Sequence, residues 1–519
     1  MRWLRSESIH LILVMIVALV PRLIGVDWGL PRVYHPDEPN YISKVLIMVQ
    51  TGDLNPQWFN YPSLFLYLLI PGVILVFIRG VARGIFVHIE DLVSAQMVVL
   101  GTGTTDIPLL YIIGRLEMTF CGLLNVYLIY NLGREIFDHR TAIVASVLLA
   151  IMPTHILASH YYRPDALVTL MATAAVYASS RVYRFARWGD YLVAGILAGL
   201  TATSKYNGGI VLIALWGAHL LRRGTLLDLR LWVGTVMAGV GFVIGTPFAL
   251  LDMPSWLNGM AWEVRHYYVL GHAGAEGDVS SIWYIRKLIL NTGLIPVLAL
   301  MSFAVESIKR RGLMIVLAIF PIAYFVLIAT ARVHTTIALT PLLPLLSLFA
   351  ARGFMLFWEW IKRKIARSLF LNVFTVVSLL ALLMVPFIQT IRTVYHFAQP
   401  EIRTIAEEWM KEHLPNGARI AAESYTPLLS DFFEVTYVPR LIDHPPEWYI
   451  LQGFDYLVAS SAMYGRYYAS ANTGNYKDEI LAYDQIFDRF TLLATIHGPF
   501  QFLAEPSGEI RCYQIHKTE

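Results

Sequence analysis

The chain of 519 residues is 56% hydrophobic and only 15% charged, with a mean hydropathy of +0.56, against roughly 25% charged residues in soluble domains. That composition excludes a soluble globular protein and indicates an integral membrane protein, with 13 Trp, 28 Tyr and 26 Phe to supply interfacial aromatic belts. The net charge of +3 conceals a split: residues 1–394 hold 31 basic and 20 acidic side chains and residues 395–519 hold 9 and 17. The acidic part has no basic stripe interleaved with aromatics, so nucleic acid is not an expected partner.

Arg2 and Arg5 precede an apolar run over about 9–26. No small-x-small cleavage site follows it and many apolar segments come later, so it reads as a first transmembrane helix with its N-terminus inside. Directly after it comes Tyr34-His35-Pro36-Asp37-Glu38-Pro39, two carboxylates and an imidazole beside a hydrocarbon span. The competing reading is a helix start, since Pro39 and acidic residues suit a first turn. Residues 51–56 form a polar turn, Asn60-Tyr61-Pro62-Ser63 follows, and an apolar run reaches Phe77. That run is long enough to cross. It lies in the interface, re-enters, or pairs with a weak second span near 92–104.

From residue 107 the spans are regular: 107–130, 141–158, 166–183, 190–203, 206–221, 231–251, 284–307, 313–331, 335–358 and 369–391. If the first helix runs outward, the loops expected inside hold Arg134 and Arg140; Arg181, Arg184 and Arg187; Arg222, Arg223 and Arg230; Lys309, Arg310 and Arg311; and Lys362, Arg363, Lys364 and Arg367. Every one is basic, which fixes the parity. The total is about 11 spans, or 13 if 27–106 contributes a hairpin.

The same parity places Asp37 and Glu38, Arg163-Pro164-Asp165, Ser204-Lys205-Tyr206-Asn207, the loop 252–283, and Arg332 with His334 on the outer face. The segments flanking Lys205 are shorter than the roughly 20 residues a span needs, so Lys205 dips below the interface, where a cation needs a partner. Each residue has a plainer alternative. Asp165 could cap the helix that starts at Ala166, Lys205 could snorkel, Arg332 could anchor at the interface, His334 could be a structural hydrogen-bonder, and His266, Tyr267 and His272 could pack over the membrane face. Their shared sidedness across some 300 residues favours a site. No metal motif, Walker loop or Gly-x-Ser-x-Gly occurs, and a divalent ion could be held only by assembly across loops. Cys121 and Cys512 lie in settings too different for a disulfide.

After Phe397, residues 400–414 read as an amphipathic helix ended by Pro415-Asn416-Gly417. Runs at 418–422, 435–439, 454–459, 491–497 and 510–515 read as strands and 476–490 as a helix. The expected architecture is a polytopic α-helical membrane domain, 1–394, with a small extracytoplasmic α/β domain, 395–519.

Together, the acidic pair of the first outer loop, Tyr162-Arg163-Pro164-Asp165, Lys205-Tyr206-Asn207 and Arg332-Val333-His334 leading to Pro341 and Pro344 resemble the GT-C superfamily. Within it the chain is most similar to the family-39-like type, the dolichyl-phosphate-mannose protein mannosyltransferases and their aminoarabinose transferase relatives, over about 1–391. The resemblance implies a polyprenyl-phosphate-linked sugar donor, an outer-face protein, lipid or glycan acceptor, and inversion at the anomeric carbon, in the cell membrane. It makes Asp37 the general base, Glu38 its acidic neighbour and Asp165 the second-loop acid, with Lys205 and Arg332 on the lipid phosphate. His35, Tyr61, Arg163, Tyr206, His266 and His334 become candidate substrate contacts, His334 departing from the aromatic residue expected there. No cofactor is implied, and metal dependence stays open. The Trp-Trp-Asp motif of the oligosaccharyltransferase branch is absent.

The chemistry is coherent on its own terms: a carboxylate takes a hydroxyl proton, and cations steady a phosphate whose charge rises as it leaves. The rival class is a secondary transporter or lipid flippase. Transporters place ionisable groups near the midplane and often carry internal repeats, and neither is evident.

Overall fold

The computed structural model describes residues 2–275, 279–364, 368–469, 474–498 and 508–516; Arg367 and positions 276–278 of the loop 252–283 lie outside them. The chain opens with α1 (Arg2–Leu23), strand β1 (Arg32–Val33), α2 (Glu38–Thr51) and α3 (Leu64–Ala82), then strands β2 (Gln96–Val99) and β3 (Thr102–Thr104). Next come α4 (Pro108–Ile136), α5 (His139–Ala150), α6 (Pro153–His160), α7 (Asp165–Phe185), α8 (Trp188–Ser204), α9 (Leu212–Arg223) and α10 (Leu229–Gly245). An outer loop carries α11 (Phe248–Leu251) and α12 (Met253–Arg265), followed by α13 (Ser280–Thr292), α14 (Ile295–Ala329), α15 (Leu343–Lys364) and α16 (Ser368–Ala398).

Among the described residues five helical segments are individually long and apolar enough to cross a membrane, and the pair α5–α6, bent by 56°, makes a sixth if taken as one span. Contacts at the helix ends reveal more passages. At one face Arg134 pairs with Glu7 at 2.9 Å, Arg310 donates to the Ile136 carbonyl at 2.6 Å, and Arg352 pairs with Glu306 at 2.6 Å. At the other, Trp28 packs on Phe397, Lys205 meets Asp165, and Ser280 donates to the Ala331 carbonyl. Following the chain between these faces gives eleven passages, one made by α13 with the first half of α14 and another by its second half beyond a break at Arg310. The remaining passages are short or interrupted, α9 for example being only 12 residues preceded by a 3-10 turn.

The segment 27–106 makes no hairpin of spans. The expected weak span near 92–104 is instead strand: β1 and β2 both pair antiparallel with β3, in the order β1-β3-β2. Because β1 follows α1 directly, β3 returns the chain to the face where α1 ends. Residues 83–95 between α3 and the sheet hold only a single 3-10 turn, and irregular backbone cannot recross hydrocarbon. The helix α3 therefore begins and ends on one face, despite its apolar length.

Tight helix packing comes from small residues. An added Cβ at Gly195 would stand 2.0 Å from the Gly234 carbonyl, and one at Gly199 would stand 2.1 Å from that of Ala238, so α8 and α10 touch backbone to backbone, as small-xxx-small pairs do in membranes. At the α5–α6 break, freed carbonyls need donors. Buried Arg22 supplies one to Ala150 at 3.0 Å and also bonds the His155 ring at 2.7 Å, while Thr390 serves Ile151 at 2.6 Å.

Beyond α16 lie α17 (Ile402–His413), β4 (Arg419–Glu423), β5 (Glu434–Val438), α18 (Pro446–Leu451), β6 (Tyr456–Ser460), α19 (Gly465–Ala469), α20 (Lys477–Arg489), β7 (Thr491–His497) and β8 (Glu509–Gln514). The sheet order is β5-β4-β6-β8-β7, with β4 parallel to β5 and β6 and with β8 antiparallel to both of its neighbours. Alternation sends Ile420 and Ala422 to one face against Ala406 and Met410, and Ala421 to the other against Tyr449 and Tyr483. Cys121 and Cys512 are buried free thiols.

Candidate active site

The polar residues of the first loop are held by an ion pair inside the protein. Arg115, two turns into apolar α4, donates Nε to Glu38 Oε1 at 3.0 Å and Nη2 to Oε2 at 2.8 Å, and its remaining nitrogen serves the carbonyls of Val26 and Trp28. The Tyr162 N–H also donates to Glu38, at 2.8 Å. Glu38 is 0% exposed, and its lone pairs are taken up by these donors. The expectation of a catalytic Glu38 is corrected: its carboxylate ties α2, α4 and the 162–165 turn together and has no face open to substrate.

Asp37, one residue earlier, faces the opposite way. It occupies the cap position of α2, which starts at Glu38 with Pro39 in its first turn as the helix-start reading expected, yet its side chain makes no capping hydrogen bond. Its carboxylate is 42% exposed and lies 4.0 Å from Arg163. The backbone N–H of Asp37 donates to His35 Nδ1 at 3.2 Å, and the His35 ring packs 4.3 Å from that of Tyr161. Burial, reinforced by the positive charge of Arg163, holds the imidazole well below its ordinary titration range. His35 is thus a neutral acceptor that orients the Asp37 backbone.

From Asp37 the charges alternate inward. Arg163 Nε stands 3.5 Å from Asp165, whose other oxygen accepts from Lys205 Nζ at 2.9 Å. Asp165 is the first residue of α7, with Pro164 at the cap position before it, and its carboxylate is engaged by these two cations. Lys205 follows the last residue of α8, 13% exposed. Two cations and two carboxylates thus form one string from the surface to the wall of a cavity.

That cavity, of about 280 Å³, is walled by Asn60, Tyr61, Lys205, Glu263, Tyr267 and Tyr284 among others. Tyr206 also lines it, its hydroxyl donating to the Phe59 carbonyl at 3.1 Å. Its outer wall is α12, whose N-terminus Asp252 caps by accepting from the Ser255 N–H while it also accepts from Asn55 at 2.9 Å. Burial pushes the Glu263 carboxyl up to about 7, a rise that Lys205 opposes and Asp37 reinforces.

Of the expected residues, Tyr61, Lys205 and Tyr206 line this cavity; His35, Asp37, Glu38, Arg163 and Asp165 stand outside its lining, and so do Arg332, His334 and His266. Arg332 is exposed; its backbone N–H donates to the Tyr267 carbonyl at 3.0 Å and its guanidinium to that of Val269 at 2.8 Å. It fastens the outer loop. His334 is buried 4.5 Å from the Trp283 ring, its N–H on the Ala275 carbonyl, while its neighbours Val333 and Thr335 face the cavity. His266 stacks on Trp262 at 5.0 Å. In each case a nearby aromatic or carbonyl takes up the polar group, which spacing along the sequence does not show. Sequence reading missed Arg115 and Glu263. A lone arginine within an apolar span was the available signal for the first, since such a charge demands a partner. Glu263 carried no local signal, because it is one charge on an amphipathic helix. Among the described residues no group of three His, Cys, Asp or Glu side chains is placed to hold a metal.

Residues 113–248 match the family model of the dolichyl-phosphate-mannose-protein mannosyltransferases. The matched segment holds Arg115, Arg163, Asp165 and Lys205 but begins after Asp37. The chain is similar to that family over this segment, about a quarter of its length. Among solved structures, the oligosaccharyltransferase of Archaeoglobus fulgidus in its apo form is similar to this chain with a TM-score of 0.57 at 15% identity, over 97% of this chain and 75% of that one. The same archaeal enzyme in complex with an inhibitory peptide and a dolichol-phosphate gives 0.56 at 13% identity, over 97% and 75%. ArnT from Cupriavidus metallidurans bound to undecaprenyl phosphate gives 0.54 at 15%, over 96% and 97%. At these identities the likeness is one of fold. A search of curated protein sequences found no match.

Proposed function

We propose that this protein transfers a sugar from a polyprenyl-phosphate-linked donor to an acceptor hydroxyl, by a single inverting displacement at the outer membrane face. The carrying observation is the string Asp37–Arg163–Asp165–Lys205, which runs from an uncapped, exposed carboxylate to a cationic cavity wall inside the family-matched segment. Two fold neighbours carry a dolichol-phosphate and an undecaprenyl phosphate, which supports the donor class.

In this reading the acceptor oxygen attacks the anomeric carbon while Asp37 takes its proton. The bond from that carbon to the phosphate oxygen breaks, and the lipid leaves as a phosphate monoester carrying the electron pair. The charge on phosphate rises in that step, so a cation on the wall stabilises the transition state more than the ground state. Lys205 supplies it, with Asp165 holding the ammonium in place. Arg163, between the two carboxylates, steadies the position of Asp37. The basic loops at the opposite face support this sidedness, with the N-terminus cytoplasmic and the C-terminal α/β domain outside.

The test is release of polyprenyl phosphate from a panel of polyprenyl-phosphate sugars by the purified protein in lipid, with a membrane extract as acceptor source. Native protein is expected to turn over at least one donor. Asp37→Asn is expected to lose at least 10²-fold in rate, the lower end of general-base contributions, with unchanged thermal stability. Equal turnover by the variant would remove Asp37 as base.

A further inference from the structure

The cavity contains one carboxylate that the proposed mechanism leaves unused. Glu263 lines it, half-buried, and among the described residues its carboxylate has no hydrogen-bond or ion-pair partner. Its neighbours act on it only through the field: Lys205 from one side, already compensated by Asp165 at 2.9 Å, and Asp37 from the other.

The placement of Glu263 is set by the helix that carries it. Met260, Glu263, Val264 and Tyr267 all line the cavity, the spacing of a single helix face. One turn before Glu263, on that same face, an added Cβ at Gly259 would stand 2.6 Å from the backbone of Phe59. Only glycine permits so close an approach, and Phe59 adjoins the cavity residues Asn60 and Tyr61. Asn55 holds the start of α12 through Asp252, and the N–H groups of Arg332 and Val333 hold Tyr267 just beyond its end. With both ends and the middle fixed, the carboxylate is aimed into the cavity. A surface glutamate would face water, and a structural one would meet a cation or backbone donors, as Glu38 does.

An ionised carboxylate only accepts hydrogen bonds. A lipid phosphate brings no donor and would be repelled, so the groups that complete Glu263 when it is ionised are hydrogen-bond donors, which on the donor's sugar are chiefly hydroxyls. Resting on the donor class argued above, we propose that Glu263 reads the hydroxyls of the sugar on the polyprenyl-phosphate donor, while Lys205 takes the phosphate. A site built to bond a hydroxyl rejects an analogue lacking it, because the buried acceptor is then left unpaired. Glu263 would thus set which sugar enters, as the carboxylate a deoxy sugar fails to satisfy.

The test is equilibrium binding to purified protein in lipid nanodiscs, read by thermal stabilisation, with undecaprenyl phosphate alone and with a panel of undecaprenyl-phosphate hexoses, pentoses and their deoxy counterparts. Native protein is expected to prefer at least one sugar-bearing lipid over the bare lipid phosphate by tenfold or more. Glu263→Gln is expected to bind bare undecaprenyl phosphate within twofold of native yet lose that preference at least tenfold. Glu263→Asp, which keeps the charge and retracts it by one methylene, should fall between them; it also carries the test if the Gln variant is unstable without ligand. A sugar preference kept within twofold in both variants overturns the proposal. So does a native protein that binds the bare phosphate with no preference for any sugar, and in that case the donor-phosphate reading survives. Binding of no polyprenyl-phosphate lipid at all would bring down the functional reading and this inference together.

Discussion

At the residue scale, two adjacent carboxylates were given opposite work by what stands beside them. Asp37 is partly exposed with a loose partner at 4.0 Å, and Glu38 is sealed against Arg115. Removing one member of a buried pair leaves an uncompensated charge, at a cost of about 3–5 kcal/mol. Glu38→Gln is therefore expected to lower thermal stability and yield, whereas Asp37→Asn leaves both unchanged; equal melting temperatures for the two variants would refute the division. The adjacent acids were legible in the sequence, but which of them faced Arg115 was not, because the partner lies 77 residues away on another helix. A different burial gives a pH dependence. Glu423, at the end of β4, accepts from the Ser460 and Leu441 N–H groups and from the Tyr483 hydroxyl, and burial pushes its carboxyl up to about 7. Below pH 4.5 both folded and unfolded chains are protonated here, and its contribution to stability is full. As pH rises from 4.5 to 7 the unfolded chain gives up a proton that the folded one keeps, so stability falls by an amount on the order of 3 kcal/mol. Hydrogen exchange at β4 and β6 of the full protein should quicken over that range. In Glu423→Gln the part of this slope due to Glu423 should vanish, and an identical slope in the variant would contradict the assignment.

At the element scale, the position of Lys205 is a property of helix packing. Lys205 follows α8 directly, and α8 is seated by glycine contacts with α10 and by the hydroxyl pair Thr203–Thr246, which also takes the Ser63 N–H at 3.1 Å. A side chain at Gly199 must push the α10 backbone away. Gly199→Val is expected to cost on the order of 3 kcal/mol and to weaken lipid-phosphate binding by moving Lys205. Gly239→Val on α10, where an added Cβ meets nothing within 4 Å, is the control. Melting temperature and undecaprenyl phosphate affinity measured on both would decide, and equal effects would show that the α8–α10 contact does not position the site. The spans were legible in the sequence because hydropathy and basic loops are one-dimensional signals. The fate of 61–104 was not: α3 is apolar enough to cross, and only the strand pairing of β1 with β3, over some 70 residues, brings its flanks to one face.

At the scale of the whole molecule, the C-terminal α/β domain is fastened to the loop that bears Asp37. Arg403 donates to the carbonyls of Gly101 and Tyr34, is held by Glu401 at 2.7 Å, and lies 4.3 Å over the Tyr34 ring; Arg32 reaches Glu407 at 2.9 Å. The sequence separates Arg403 from Gly101 and Tyr34, and Arg32 from Glu407, by more than 300 residues, so the charge split along the chain gave no sign of this clasp. Tyr34 stands three residues before Asp37, and β1, which precedes it, pairs with β3 next to Gly101. Arg403 thus acts on the base through the backbone rather than by contact. Arg403→Met removes charge-assisted bonds worth about 1.5–3 kcal/mol each while keeping an apolar side chain over Tyr34. The expected result is faster hydrogen exchange over 96–104 and 32–36, with transfer reduced about tenfold at saturating donor, equivalent to about 1.4 kcal/mol of barrier, and donor binding unchanged. If exchange quickens and transfer is untouched, the clasp joins the domains without aiming the base. If donor binding falls instead, the domain acts on the cavity wall through the loop at Ala275.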